Sequence, residues 1–165
     1  MTNKLRYIGP AVIFTLIFTA ASLVDPPAET SSVPDTDSAR LSQGLGPPPV
    51  EGDTITTASG LKYIVILNGT GPQAERGQQV RVHYSGWLED GSLFDSSVLR
   101  GEAFEFRLGA GQVIRGWDEG IGMMQVGGKW RFIIPPELAY GERGYPDVIP
   151  PSATLVFDVA LLGVR

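Results

Sequence analysis

Cysteine is absent from all 165 residues. That removes disulfides, thiolate nucleophiles and a cysteine-attached lipid anchor together, and it leaves the fold to stand on packing alone. Histidine occurs once, at position 83, so little is available to hold zinc and no metal is expected. Thirteen basic residues against eighteen acidic ones, a net charge of -5, do not make the clustered basic surface that nucleic acid requires. The chain also lacks a Ser/His/Asp set, a phosphate-cradling glycine loop with lysine, and a close carboxylate pair on a helix. His83 reads on the polar side of its strand, and a lone general base without partners has no chemistry to perform.

Charge and hydropathy are unevenly spread along the chain. Residues 1–24 carry only Lys4 and Arg6, followed by an apolar run from Ala11 to Val24 with small residues near its end. A basic start, an apolar stretch and small residues form the pattern of an export signal, and the run extended back to Tyr7 approaches the length of a spanning anchor. Residues 25–53 hold six acidic groups against one basic, with Pro26-Pro27 and Pro47-Pro48-Pro49 and few large apolar side chains. Such a stretch buries too little surface to offset the entropy of ordering it, and it reads as a semi-extended tether. Residues 54–165 are nearly balanced, ten basic against twelve acidic, and form the expected folded domain.

Within that domain the periodicity is that of short strands. Val80, Val82 and Tyr84 share one face, with Arg81, His83 and Ser85 on the other, and Phe104, Phe106 and Leu108 alternate with Glu105 and Arg107. Glu89-Asp90-Gly91-Ser92 is a turn signal. Ile114, Trp117 and Ile121, three and four apart, make one stripe of a helix of about two turns. Trp130 to Ile134 reads as a strand stopped by Pro135-Pro136, whose rings cannot donate to a ladder. The last strand turns Leu155, Phe157, Val159 and Leu161 inward. One short helix among several strands implies an α+β domain, a twisted antiparallel sheet wrapped around the helix.

Several separate motifs then coincide: Val82-His83-Tyr84-Ser85-Gly86, Phe94-Asp95-Ser96-Ser97, Val113-Ile114-Arg115-Gly116-Trp117, Ala139-Tyr140-Gly141, and Ile149-Pro150-Pro151 running on to Phe157. In order and spacing, residues 58–165 resemble the FKBP-type peptidyl-prolyl cis-trans isomerases. The resemblance implies the FKBP-like fold and a monomer that rotates Xaa-Pro bonds without any cofactor. It implies a ligand pocket with Trp117 as floor and with Tyr84, Phe94, Phe104, Val113, Ile114, Val148 and Ile149 as walls. Asp95, Tyr140 and Phe157 are the residues expected to act on the rotating bond. Arg100 matches a family arginine that pairs with the pocket aspartate, while Phe106 reads as core. Gln112 and Tyr145 stand where family members often have glutamate and histidine, both on the approach to the pocket, and residues 141–151 read as a flap over it.

The expected partners are unfolded or partly folded chains containing Xaa-Pro bonds, and macrolides of the tacrolimus and rapamycin type. With an export signal or anchor in front, the clients are exported proteins and the location is extracytoplasmic, a periplasm or a thylakoid lumen. Two other readings use the same cleft: a holdase that retains apolar segments without turnover, and an assembly factor for a membrane complex.

Overall fold

The structure, a computed structural model, describes residues 46–165. The expected signal or anchor, and the tether as far as residue 45, lie outside the described residues. Among the described residues no helix is long and apolar enough to cross a membrane.

Seven strands form one antiparallel sheet: β1 (Ile55–Thr56), β2 (Lys62–Leu67), β3 (Gln79–Leu88), β4 (Leu93–Ser96), β5 (Phe104–Arg107), β6 (Lys129–Ile134) and β7 (Leu155–Val164). Two helices interrupt them, a single turn α1 (Ser97–Arg100) and the seven-residue α2 (Arg115–Ile121). The sheet runs β1-β2-β6-β7-β3-β4, and β5 pairs with β3 as well. The edge of β3 away from β7 is therefore shared, with residues 79–82 opposite β5 and residues 85–87 opposite β4. Between the two partners lies a gap, and α1 fills it.

Alternation decides which face each side chain takes. Val80, Val82 and Tyr84 of β3, Phe106 of β5, Phe132 and Ile134 of β6, and Leu155, Phe157, Val159 and Leu161 of β7 are all buried in the core under α2. Helix α2 lies unusually close to β6 because its inward positions include Gly116 and Gly120. A Cβ at Gly116 would fall 2.6 Å from the Ile134 side chain, and one at Gly120 2.6 Å from the Phe132 ring. Trp117 and Ile121 on the same short helix are buried against the sheet.

The outer face carries an unexpected polar row. Arg131, Asp158, Ser85 and Ser96 lie opposite one another across β6, β7, β3 and β4, with the apolar Ile64 of β2 next to Arg131, and all five are buried. Arg131 grips Asp158 with two parallel bonds, Nε to Oδ1 at 2.6 Å and Nη2 to Oδ2 at 2.7 Å. This geometry is the strongest that a guanidinium and a carboxylate make. The described part of the proline-rich segment approaches the folded domain at two points, the β3–β4 turn and Ile64. A Cβ on Gly46 would sit 3.4 Å from the Gly91 Cα, and one on Gly52 3.0 Å from Ile64 Cγ2.

Candidate active site

The site grows from Trp117. Helix α2 turns its indole toward the inner face of the sheet, where only 4 % of the residue remains exposed. Around it stand aromatic rings presenting their edges: Tyr84 at 4.9 Å and 80°, Phe157 at 5.2 Å and 77°, and Phe104 at 6.2 Å and 68° between ring centroids and planes. Phe94 meets Phe157 edge to face at 5.4 Å and 88°. Edge-to-face pairs set the positive rim of one ring against the negative face of another, so the cage holds its shape through many small attractions. Phe106 touches the indole too, at 5.9 Å, but is buried in the core beneath.

Gly86, overlooked in the reading of the sequence, makes this cage possible. Its Cβ would lie 2.6 Å from Phe157 and 2.7 Å from Phe94, inside the contact distance of any carbon pair. No periodicity announces such a position, because the crowding comes from side chains of the two strands that flank β3, Phe94 of β4 and Phe157 of β7.

One wall of the site is polar. Asp95 accepts a hydrogen bond from the Tyr84 phenol and pairs with Arg100, and Arg100 Nη2 also donates to the Tyr84 oxygen at 3.0 Å. The local fold explains why these three meet. Ser96 caps α1 by accepting from the Leu99 amide, and the single turn that follows swings Arg100 back over Asp95 before Gly101, at φ 69°, ends it. Ser97, fully buried, accepts the Tyr84 amide at 2.8 Å and lies 3.0 Å from His83 Nδ1, which gives His83 a structural partner. Burial, then the bond from Tyr84 to Asp95 and the charge of that carboxylate, push the Tyr84 phenol well above its ordinary value, against the opposing pull of Arg100. Burial works against the Arg100 charge, but the bonds to Tyr84 and Asp95 outweigh it and hold the guanidinium charged.

Opposite this wall, residues 145–149 form a stitched turn over the opening. Tyr145 N donates to Ile149 O at 2.8 Å, and Ile149 N returns to Tyr145 O at 2.9 Å. Asp147 adopts φ 62° in the turn, a conformation that a short polar side chain tolerates. Tyr140 packs its ring against Tyr145 at 5.8 Å.

These elements enclose a cavity of about 760 Å³. All thirteen residues expected from the resemblance line it: Tyr84, Phe94, Asp95, Arg100 and Phe104 on the sheet side, Val113, Ile114 and Trp117 below, Tyr140, Tyr145, Val148 and Ile149 on the flap, and Phe157 from β7. Gln112 is not among the lining residues; it stands exposed beside Val113, and its Oε1 accepts the Arg107 amide at 2.8 Å at the end of β5. The cavity is also lined by Arg81, Glu102, Ala103 and Glu105, which the sequence reading did not include. Strand alternation set Arg81 and Glu105 on the polar face, yet this pair, opposite one another on β3 and β5, lines the cavity.

A sheet wrapped around one short helix, with an aromatic cavity between them, defines a protein built to receive an apolar group. The family model described as FKBP-type peptidyl-prolyl cis-trans isomerase matches residues 71–162. An FK506-binding protein of Neisseria meningitidis serogroup A is 54 % identical over 99 residues, 60 % of this chain and 91 % of that protein. The peptidyl-prolyl cis-trans isomerase Fkbp12 of Drosophila melanogaster is 50 % identical over 107 residues, 64 % of this chain and 99 % of its own length. The crystal structure of AtFKBP13 superposes with a TM-score of 0.66 at 43 % identity, covering 68 % of this chain and 99 % of that one. The chain belongs to the FKBP-type peptidyl-prolyl cis-trans isomerase family, and its activity is the rotation of Xaa-Pro bonds. Proline-containing chains and macrolides such as FK506 are the general kind of partner.

Proposed function

We propose that the cavity works by desolvating the Xaa-Pro amide while holding its two flanks. The planar amide owes its barrier of about 18–20 kcal/mol to resonance, which also makes it polar. In the twisted transition state the resonance is lost and the carbonyl carries less negative charge. A water-poor aromatic cage penalises the planar amide more than the twisted one, and the difference lowers the barrier. The proline ring rests on Trp117, and the edges of Phe157, Phe94 and Tyr84 surround the turning carbonyl. Tyr140 and the Ile114 amide hold the neighbouring substrate carbonyls, and Asp95, fixed by Tyr84 and Arg100, tunes the one polar edge. The arrangement requires no proton transfer and no covalent intermediate.

The observation that carries this reading is the ring cage on a 4 %-exposed Trp117 with the Asp95 carboxylate, clamped by Tyr84 and Arg100, at its border. A holdase has no need of a carboxylate fixed by two partners beside an otherwise aromatic cage. The clients are exported proteins whose folding waits on proline isomerisation, and the compartment is extracytoplasmic. This follows from the signal or anchor pattern of residues 1–24, the tether to residue 53 and the domain from residue 54 onward. The test is the relaxation of a short Leu-Pro peptide in the presence of residues 46–165, with and without rapamycin. Acceleration abolished by the macrolide supports the cavity as the seat of catalysis; acceleration that rapamycin leaves untouched puts it elsewhere.

A further inference from the structure

The loop 108–114 joins β5 to α2 and brings Val113 and Ile114 to the cavity. Two of its glycines lie in the left-handed region, Gly109 at φ 73° and Gly111 at φ 68°, where the backbone has no preference of its own to fix its path. No side chain caps α2 at Ile114. The loop is held instead from within the helix. Asp118, next to Trp117 on α2, turns a half-buried carboxylate back toward the loop: Oδ1 accepts the Gly109 amide at 2.8 Å and Oδ2 accepts the Gly111 amide at 3.2 Å. An ionised acceptor makes such bonds stronger than a neutral one does.

The backbone of the same residue closes a ring. The Asp118 amide donates to Ile114 O at 3.2 Å, beside the Trp117 amide at 3.0 Å. Asp118 therefore binds the segment at residues 109, 111 and 114, and ties all three to the residue that follows the indole. The Ile114 amide, by contrast, makes no hydrogen bond among the described residues, although only 5 % of Ile114 is exposed. A buried backbone donor rarely stays unpaired, and one that borders a cavity can be satisfied by what the cavity binds.

We propose that Asp118 is a positioning residue for the isomerase, its carboxylate fixing the loop so that the Ile114 amide meets a substrate carbonyl at a set distance from Trp117. The proposal rests on the donor role given to that amide above. Asp118 is not among the residues that line the cavity, so it acts through the loop and not on the rotating bond. A donor already in place needs no reorganisation when the substrate amide twists. A loose loop must be ordered at that moment, and the cost falls on the rate. Binding of the ground state, dominated by the proline ring on Trp117, changes little.

The test is the kinetics of a Leu-Pro peptide with the full 165-residue chain and two variants. Asp118→Ala removes both acceptors, and kcat is expected to fall about tenfold while KM stays within about twofold, the pattern of an interaction realised in the transition state. Asp118→Asn keeps one acceptor oxygen, and the expected fall in kcat is about threefold. A carboxylate that only stabilised the fold would lower the denaturation midpoint and leave kcat per folded molecule unchanged. That result in Asp118→Asn overturns the proposal, whether or not Asp118→Ala folds, and so does a loss confined to KM. The Ile114 amide resonance of the parent chain, followed by NMR as the peptide is added, is expected to shift. No shift in a chain that accelerates the peptide overturns the donor role itself, whereas a shift together with parental kcat in both variants overturns the role of Asp118 alone.

Discussion

The Tyr84 phenol donates to the Asp95 carboxylate across the β3–β4 pair, and Arg100 binds both oxygens from the turn that follows. The carboxylate at the border of the cavity is thus held from two sides, by a phenol that burial keeps protonated and by a guanidinium that its bonds to Tyr84 and Asp95 keep charged. A substrate meets a fixed acceptor, and the cost of orienting it was met on folding.

The raised Tyr84 phenol has a consequence at high pH. The unfolded chain loses this proton near 10.0, the ordinary value, and the folded chain only above it. Below that pH both states hold the proton and the contribution to stability is complete. As pH rises further the unfolded state binds fewer protons, so stability falls until the folded phenol also ionises. Phenolate absorbance followed beside circular dichroism should show one tyrosine whose ionisation coincides with loss of structure, and Tyr84→Phe should abolish that component.

Phe157 contributes both wall and core. Phe157→Ala is expected to cost about 3 kcal/mol in denaturant unfolding, within the range for a buried ring, and to lower kcat/KM for a Leu-Pro peptide at least tenfold. Asp95→Ala should lower kcat/KM by a similar factor. If both variants fold and retain full activity, the roles proposed for them are wrong.

Gly86→Ala places a methyl group where two rings already stand. The expected cost is about 1–3 kcal/mol of stability, and the displaced Phe94–Phe157 pair should weaken macrolide binding measured by calorimetry. An unchanged Kd would mean that the rings adapt without altering the cavity.

On the outer face, Asp158→Ala leaves Arg131 charged, buried and unpaired. The expected loss is about 3–5 kcal/mol in urea, whereas replacing both partners with apolar residues of similar size should restore most of it. Isomerase activity per folded molecule is expected to stay near that of the parent, since the pair lies across the sheet from the cavity.

Much of this architecture was legible in one dimension. Alternation in β3 and β7 identified the inward faces, since a period of two is imposed by the backbone itself, and the Ile114, Trp117, Ile121 stripe identified α2. Alternation failed at Arg131 and Asp158. Each reads as an outward polar position, yet each is buried and answers the other from an adjoining strand. The partner of Gln112 was hidden for a similar reason, because the Arg107 amide is a backbone group that no side-chain pattern reveals.

By itself the sequence determined what local chemistry can express: the absence of thiol chemistry, the strand and helix periods, the turn glycines, and the family to which the motifs belong. Only the tertiary structure decided that Gly86 must be bare, that Arg81 and Glu105 line the cavity, and that the described part of the proline-rich segment approaches the domain at Gly91. Those outcomes depend on distances between strands far apart in the chain. Such distances exist only once hydrophobic burial has drawn the strands together, and no periodicity within a single segment records them.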